Sequence, residues 1–234
     1  MSSSILQNLR FRPPRQRAFK KAPLPALHIK QLEQALRQTE AGAVCALTLL
    51  LDLKDLKTGM HATRLAEWAV RVGEELGLGE EDLRDIEYAS MLHDIGKVGV
   101  PDEILLKPGR LTEDEFDQIK KHPEYGWAIL RAVPGLESVS LVVLHHHERM
   151  DGKGYPAGLE GDQIPLGSRI VCVVDAFDAM LSSRSYRKGL GIDESLRRLR
   201  ESSPDQFDPQ IVAPFIELAV SDYTEIAKLE ESAA

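Results

Sequence analysis

The chain is short of the residues that mark several large protein classes. It has two cysteines in 234 residues and no C-x-x-C pair, which argues against a disulfide scaffold and a thiolate zinc finger. Cys45 and Cys172 both lie in apolar sequence and are expected to be small buried hydrophobes in a reducing compartment. The longest near-apolar run, Gly42 to Leu51, is about half of the roughly 20 residues that a membrane span requires. Ser2, Ser3 and Ser4 lead into basic, proline-containing sequence, so no signal peptide is expected and the cytoplasm is the expected location. No internal repeat with a period of 20 to 50 residues is evident, so a solenoid is not expected.

Acidic residues are missing from the first 32 positions, which carry seven basic ones: Arg10, Arg12, Arg15, Arg17, Lys20, Lys21 and Lys30. The remainder holds 22 basic and 37 acidic residues. An acidic body argues against general nucleic-acid binding, because neutralising phosphates needs clustered Lys and Arg. The basic arm, with Pro13, Pro14, Pro23 and Pro25, is expected to be disordered, either a solvated tail or a contact for a protein partner or anionic surface.

Beyond the arm, apolar spacing is helical almost throughout. A helix is predicted from about Leu27 to Leu53. A second, capped by Thr58, carries Leu65, Trp68, Ala69, Val72 and Leu76 and stops at Gly77. A third runs from Glu80 to His93. Thr112 and Glu115 form a T-x-x-E capping box. Pro123 suits the first turn of another helix, ended by Pro134-Gly135. Further helices are predicted after Leu136 and near Ser168, Asp193 and Pro209. The Gly- and Pro-rich stretch Asp151 to Gly161 is a loop. Ile170 to Val174 is β-branched, but Phe177 and Leu181 continue it at helical spacing. The expected fold class is all-α.

The histidines are unusually placed. At about 100° per residue, His146 and His147 flank the buried face of Val143, whereas His145 lies nearly opposite and should point outwards. Two imidazoles aimed at a core are costly unless something binds them. His93 continues the buried stripe of Leu83 and Ile86, with Asp94 beside it. His61 and His122, each at a helix start, would singly be structural. Asp175 and Asp178 interrupt an apolar helix, where an unpaired carboxylate costs several kcal/mol; periodicity does not choose between them. Histidines and carboxylates on several helices have the composition of a metal site in a helical bundle, with ligands that suit iron, manganese or zinc.

These residues resemble the HD-GYP family, a branch of the HD superfamily of metal-dependent phosphohydrolases. The matching stretches begin with Asp55-Leu-Lys-Thr58-Gly-Met-His61-Ala-Thr-Arg64, His93-Asp94-Ile-Gly-Lys97 and Pro101 through Gly109. They continue with His122, His146-His147-Glu148-Arg149-Met-Asp151-Gly152-Lys-Gly154-Tyr155-Pro156 and Ile164-Pro165. Arg169-Ile170, Asp175-Ala-Phe-Asp178-Ala179, Arg184-Ser-Tyr186-Arg187 and Phe207-Asp208-Pro209 complete them. The likeness covers about residues 40 to 220 in the family's order.

The resemblance implies an HD-type helical bundle with a binuclear metal site in its core. Its metal ligands would be His61, His93, Asp94, His122, His146, His147 and Asp175, with Asp94 bridging the ions. Two divalent transition metal ions are implied, iron or manganese in preference to zinc. In some members a Glu four positions before the first histidine helps to hold a third metal; Lys57 stands there, which favours two. The implied activity is a phosphodiesterase hydrolysing cyclic di-GMP to pGpG, with or without a second cleavage to GMP, a metal-bridging hydroxide being the nucleophile. Asp94 and Lys97 would be catalytic, and Lys97, Arg184 and Arg187 would bind the substrate. Cyclic GMP-AMP is an alternative substrate. A competing reading is a non-catalytic signalling module that binds metal or cyclic dinucleotide and acts through a protein partner. The expected organisation is a basic arm over 1–26, an N-terminal helix over 27–54 packed on the domain, an HD-GYP domain over 55–225 and a tail over 226–234.

Overall fold

The computed structural model describes residues 26–55, 59–182 and 189–233, with side chains described outside 55–61 and 225–233. The predicted Thr58 cap therefore lies outside the described residues, as does Lys57. The chain divides into two units, Met1–Gln38 and Thr39–Ala234.

In the first unit the described residues form the opening turns of helix α1 (Ala26–Asp55), and all are exposed. In the second unit α1 continues and buries a narrow stripe, Glu40, Val44, Thr48 and Leu51. Cys45 is exposed, against expectation, because a helix can turn only one stripe of a long apolar run inwards. Cys172 is half-buried, and burial pushes its thiol up to about 12.

The helices that follow are α2 (Gly59–Glu75), α3 (Glu80–Leu92), the short α4 (Asp102–Leu105), which sequence patterning missed, and α5 (Glu113–Ile119). Then come α6 (His122–Leu130), α7 (Glu137–His145), α8 (Leu166–Leu181), α9 (Ile192–Ser202) and α10 (Pro209–Ala233). Among the described residues there is no strand, only an isolated bridge between Asp151 and Glu160, and the fold is all-α. The Thr112–Glu115 capping box is formed with both reciprocal hydrogen bonds. No helix among the described residues is long and apolar enough to cross a membrane.

Two apolar clusters organise the second unit. One gathers Leu65, Trp68 and Val72 of α2, Val173 and Phe177 of α8, and Phe215 of α10. Its centre is an aromatic trio, with the Trp68–Phe177 and Phe177–Phe215 ring centroids 5.4 and 5.0 Å apart and edge to face. Outside it, Arg71 grips Asp222 through two hydrogen bonds of 2.6 and 2.9 Å, and Trp68 Nε1 donates to the same carboxylate. The second cluster joins α1, α3, α6 and α7 through Val44, Leu92, Leu130, Val139 and Val143. Helix α8 contributes to both, Val174 to the first and Val171 to the second. Asp175, next after Val174, is thereby carried into the centre of the unit.

Candidate metal centre

Helix ends supply His93, Asp94, His122, His146 and His147, and the middle of α8 supplies Asp175. Helix α3 ends at Leu92, and His93 caps it. Asp94 follows at φ −92°, ψ 1°, the sparsely populated bridge region in which functional residues are often held. A 3-10 turn over Ile95–Gly99 presses against the start of α6. A Cβ on Gly96 would lie 1.8 Å from the carbonyl oxygen of His122, so glycine is what lets Asp94 and His122 approach. His146 caps α7, and His147 follows it.

Three imidazoles are oriented in the same way. The Nδ1 atoms of His93, His122 and His146 lie 2.8, 2.8 and 2.6 Å from the carbonyl oxygens of Ser90, Ile119 and Val143, in each case three residues earlier. A carbonyl only accepts, so each Nδ1 carries the proton and each Nε2 presents a lone pair, the tautomer that a metal-ligating imidazole uses. His122 Nε2 and His146 Nε2 lie 3.4 Å apart. In the neutral rings these are two lone pairs face to face, an arrangement that a shared cation relieves. Ligand atoms of His122, His146 and His147 all fall within 4.8 Å of one another.

The carboxylates close the other side. Asp94 Oδ2 is 3.5 Å from His93 Nε2 and accepts a 2.6 Å hydrogen bond from Lys97 Nζ, while its Oδ1 is 3.6 Å from His122 Nε2. One carboxylate thus reaches two imidazoles with different oxygens. Asp175 Oδ1 lies 3.6 Å from His93 Nε2. Asp178, wholly buried, instead accepts from Arg64, whose Nε stands 2.9 Å away. The two aspartates that periodicity left equivalent are therefore separated by tertiary contacts.

Electrostatics follow burial. Burial and the neighbouring His147 push His146 well below the ordinary histidine range, and burial with His122 pushes His147 down to about 3. Burial likewise lowers His122. For His93, burial alone would lower the pKa, but the charges of Asp94 and Asp175 outweigh it and the net shift is upwards. Neutral, lone-pair-bearing imidazoles beside ionised carboxylates are the protonation state that divalent cations bind, and the donor set present fits such an ion.

The loop over Asp151–Gly161 is held from below. Glu148 is buried and accepts from the backbone amides of Ala157 and Leu159 at 2.7 and 3.1 Å. Arg149 forms a two-pronged pair with Asp151. Gly154 lies so close to Glu148 that an added Cβ would sit 2.4 Å from its Cα. Tyr155 thereby packs its ring on His147, with centroids 4.8 Å apart. His145 does not point to solvent as expected: it is half-buried, its Nδ1 3.5 Å from Glu148 Oε1, because the chain turns back once α7 ends.

Of the residues singled out in the sequence, His93, Asp94, Lys97, His122, His146, His147 and Asp175 come together. The His61 side chain, Arg184 and Arg187 lie outside the described residues. The Arg64–Asp178 pair was missed, and so were the carbonyls of Ser90, Ile119 and Val143; a backbone acceptor three residues before a histidine has no side-chain signature. A separate hollow of about 320 Å³, lined among others by Arg200, Ser203, Pro209 and Val212, contains none of these ligand atoms.

The sequence profile of the HD domain family matches residues 46–211. This chain belongs to the HD domain family. The HD-GYP resemblance stands with it. The HD domain chain is 41% identical over 186 residues to the cyclic di-GMP phosphodiesterase response regulator RpfG of Xanthomonas campestris, covering 79% of this chain and 48% of that protein. It is 39% identical over 187 residues to a cyclic di-GMP phosphodiesterase of Thermotoga maritima, covering 79% and 50%. It is 40% identical over 185 residues to the 3'3'-cGAMP-specific phosphodiesterase 2 of Vibrio cholerae, covering 78% and 35%. The chain thus spans about half or less of the length of these relatives. Among solved structures, a cyclic GMP-AMP phosphodiesterase of V. cholerae superimposes with a TM-score of 0.58 at 21% identity, covering 75% of this chain and 47% of that one. The HD domain of the phosphodiesterase PgpH of L. monocytogenes, in complex with cyclic di-AMP, gives 0.57 at 17% identity over 77% and 96%. At these identities the likeness speaks to the fold.

Proposed function

We propose that this HD domain chain is a metal-dependent phosphodiesterase that hydrolyses cyclic di-GMP to linear pGpG, with or without a second cleavage to GMP. The observation that carries the reading is the pairing of His122 and His146 Nε2 lone pairs at 3.4 Å, beside a carboxylate that reaches His93, His122 and Lys97 at once. The names of the curated relatives support the substrate class. Two divalent cations, iron or manganese in preference to zinc, would be held by His61, His93, Asp94, His122, His146, His147 and Asp175. Bound there, they lower the pKa of water and take up charge on the phosphate.

Charge makes the cations necessary for this substrate. Asp94 and Asp175 set two negative charges against the one cation of Lys97, and a phosphodiester is itself an anion. The protein's own residues then do four things. Asp94 sits between the His93 and His122 imidazoles, and so fixes the distance between the two halves of the site. Lys97, held by Asp94, sets a cation where it can touch the scissile phosphate and offset charge on the leaving alkoxide. Arg184 and Arg187 grip the remaining phosphate. The Tyr155 ring packs on His147 and narrows the approach of bulk water from the loop side.

The test is turnover of cyclic di-GMP by protein purified without oxygen, loaded with iron or manganese and analysed for counted metal. The wild type should yield pGpG, and His93→Ala and Asp94→Ala should yield none. Cyclic GMP-AMP run in parallel ranks the substrates. Binding of cyclic dinucleotide without turnover in every metal state overturns the enzyme and selects the signalling module.

A further inference from the structure

Helix α1 carries an exposed apolar face. Ile29, Leu32, Leu36, Leu50 and Leu53 are between 43% and 81% exposed. The spacing of this face is not that of an ordinary core-facing helix. Ile29, Leu36, Ala43 and Leu50 recur every seven residues, and Leu32, Thr39, Ala46 and Leu53 follow each of them by three. The alternation of three and four runs over four heptads, with Thr39 as its one polar position. A strict 3.5-residue period keeps a seam in line only when the helix winds around another helix.

We propose that α1 forms a parallel two-stranded coiled coil with α1 of a second copy of this chain. Self-pairing follows from the seam, because each layer is matched by its own equivalent: large at both ends, small in the middle at Ala43 and Ala46. At about 1.5 Å per residue the 30-residue helix is roughly 45 Å long. An apolar strip of that length and one helix wide is on the scale of the largest patches that functional interfaces expose.

The parallel direction follows from what flanks the seam. On one side lie Glu40, which is buried, and Leu47, which is half-buried, so within the second unit the protein body occupies that flank. On the other side the exposed Gly42 and Leu49 leave small or apolar surface. In a parallel pair the occupied flank of one helix faces the open flank of its mate, and the two bodies lie on opposite sides. In an antiparallel pair both occupied flanks fall on one side and the bodies collide. A parallel alignment also sets His28 of one copy against Glu33 of the other, and the β-branched Ile29 with Leu32 suits a two-stranded coil.

Sedimentation equilibrium of the full chain should give twice its 26.0 kDa. Leu36→Glu and Leu50→Glu, both at exposed positions, should weaken the dimer by about 100-fold or more while circular dichroism keeps its helical amplitude. In a Cys45→Ser background, Leu32→Cys should oxidise to a covalent dimer by itself, because equivalent residues meet only in the parallel register. A monomer at every concentration overturns the proposal, as does a dimer indifferent to both glutamates. So does a Leu32→Cys chain that cross-links only when Leu50→Cys is added.

Discussion

His122 and His146 face one another across 3.4 Å with the same atom, Nε2, each having committed Nδ1 to a carbonyl three residues earlier. Without a cation this contact is unfavourable, and with one it is a pair of ligands. The sign of a mutation's effect on stability therefore depends on metal. His146→Ala should be near neutral in chelator, since the lost packing is offset by relief of the facing lone pairs. In saturating manganese the wild type should gain about 3 kcal/mol at 100 times the dissociation constant, and the variant should gain far less. Thermal melts with and without chelator measure both.

Lys97 touches Asp94 at 2.6 Å and is no metal ligand. Lys97→Met should retain the metal content of the wild type and lose kcat by about 10²- to 10³-fold, the range seen when one preorganised charge donor is removed. Metal analysis and kinetics on the same preparation separate this outcome from loss of metal.

Glu148 supports the loop that packs Tyr155 on His147. Glu148→Ala removes the carboxylate that accepts from the amides of Ala157 and Leu159, a cost of about 1 kcal/mol for each hydrogen bond lost. Metal affinity should fall by about 10- to 100-fold through the loosened His147 ring. Competition with a chelator reads the affinity, and denaturant unfolding reads the stability.

Arg71 holds the Asp222 carboxyl below its usual pKa, chiefly through the paired hydrogen bonds. A carboxyl depressed in the folded state stabilises above its unfolded pKa, and that stabilisation is lost as pH falls through the folded value. Both side chains are partly exposed, so the pair is worth about 1 kcal/mol or less. Asp222→Ala should cost that much at pH 7, and the gap from wild type should shrink below about pH 4. Urea unfolding at pH 7, 4 and 3 tests it.

Much of this protein was legible from local rules. Helical periodicity located the main helices because each buries one stripe, and Thr112 with Glu115 announced the start of α5 because a cap is a contact over three residues. The inward turn of His146 and His147 was also readable, since both follow the buried face of Val143. What failed was local reasoning carried past a helix end. His145 should have pointed outwards, but α7 stops there and Glu148 comes back to meet it. Cys45 belonged to an apolar run, yet one helix cannot bury every side of itself.

By itself the sequence determined an all-α chain, a set of imidazoles and carboxylates aimed inwards, and the seven-residue rhythm of α1. Each depends on residues within a turn or two of one another, where chain geometry leaves little choice. Only the tertiary structure decided that Asp175 meets His93 while Asp178 takes Arg64, and that Asp94 reaches His122 over the bare backbone of Gly96. Those outcomes turn on the packing of α3 against α8 and of the Ile95–Gly99 turn against α6, and contacts between distant segments leave no periodic mark in a sequence.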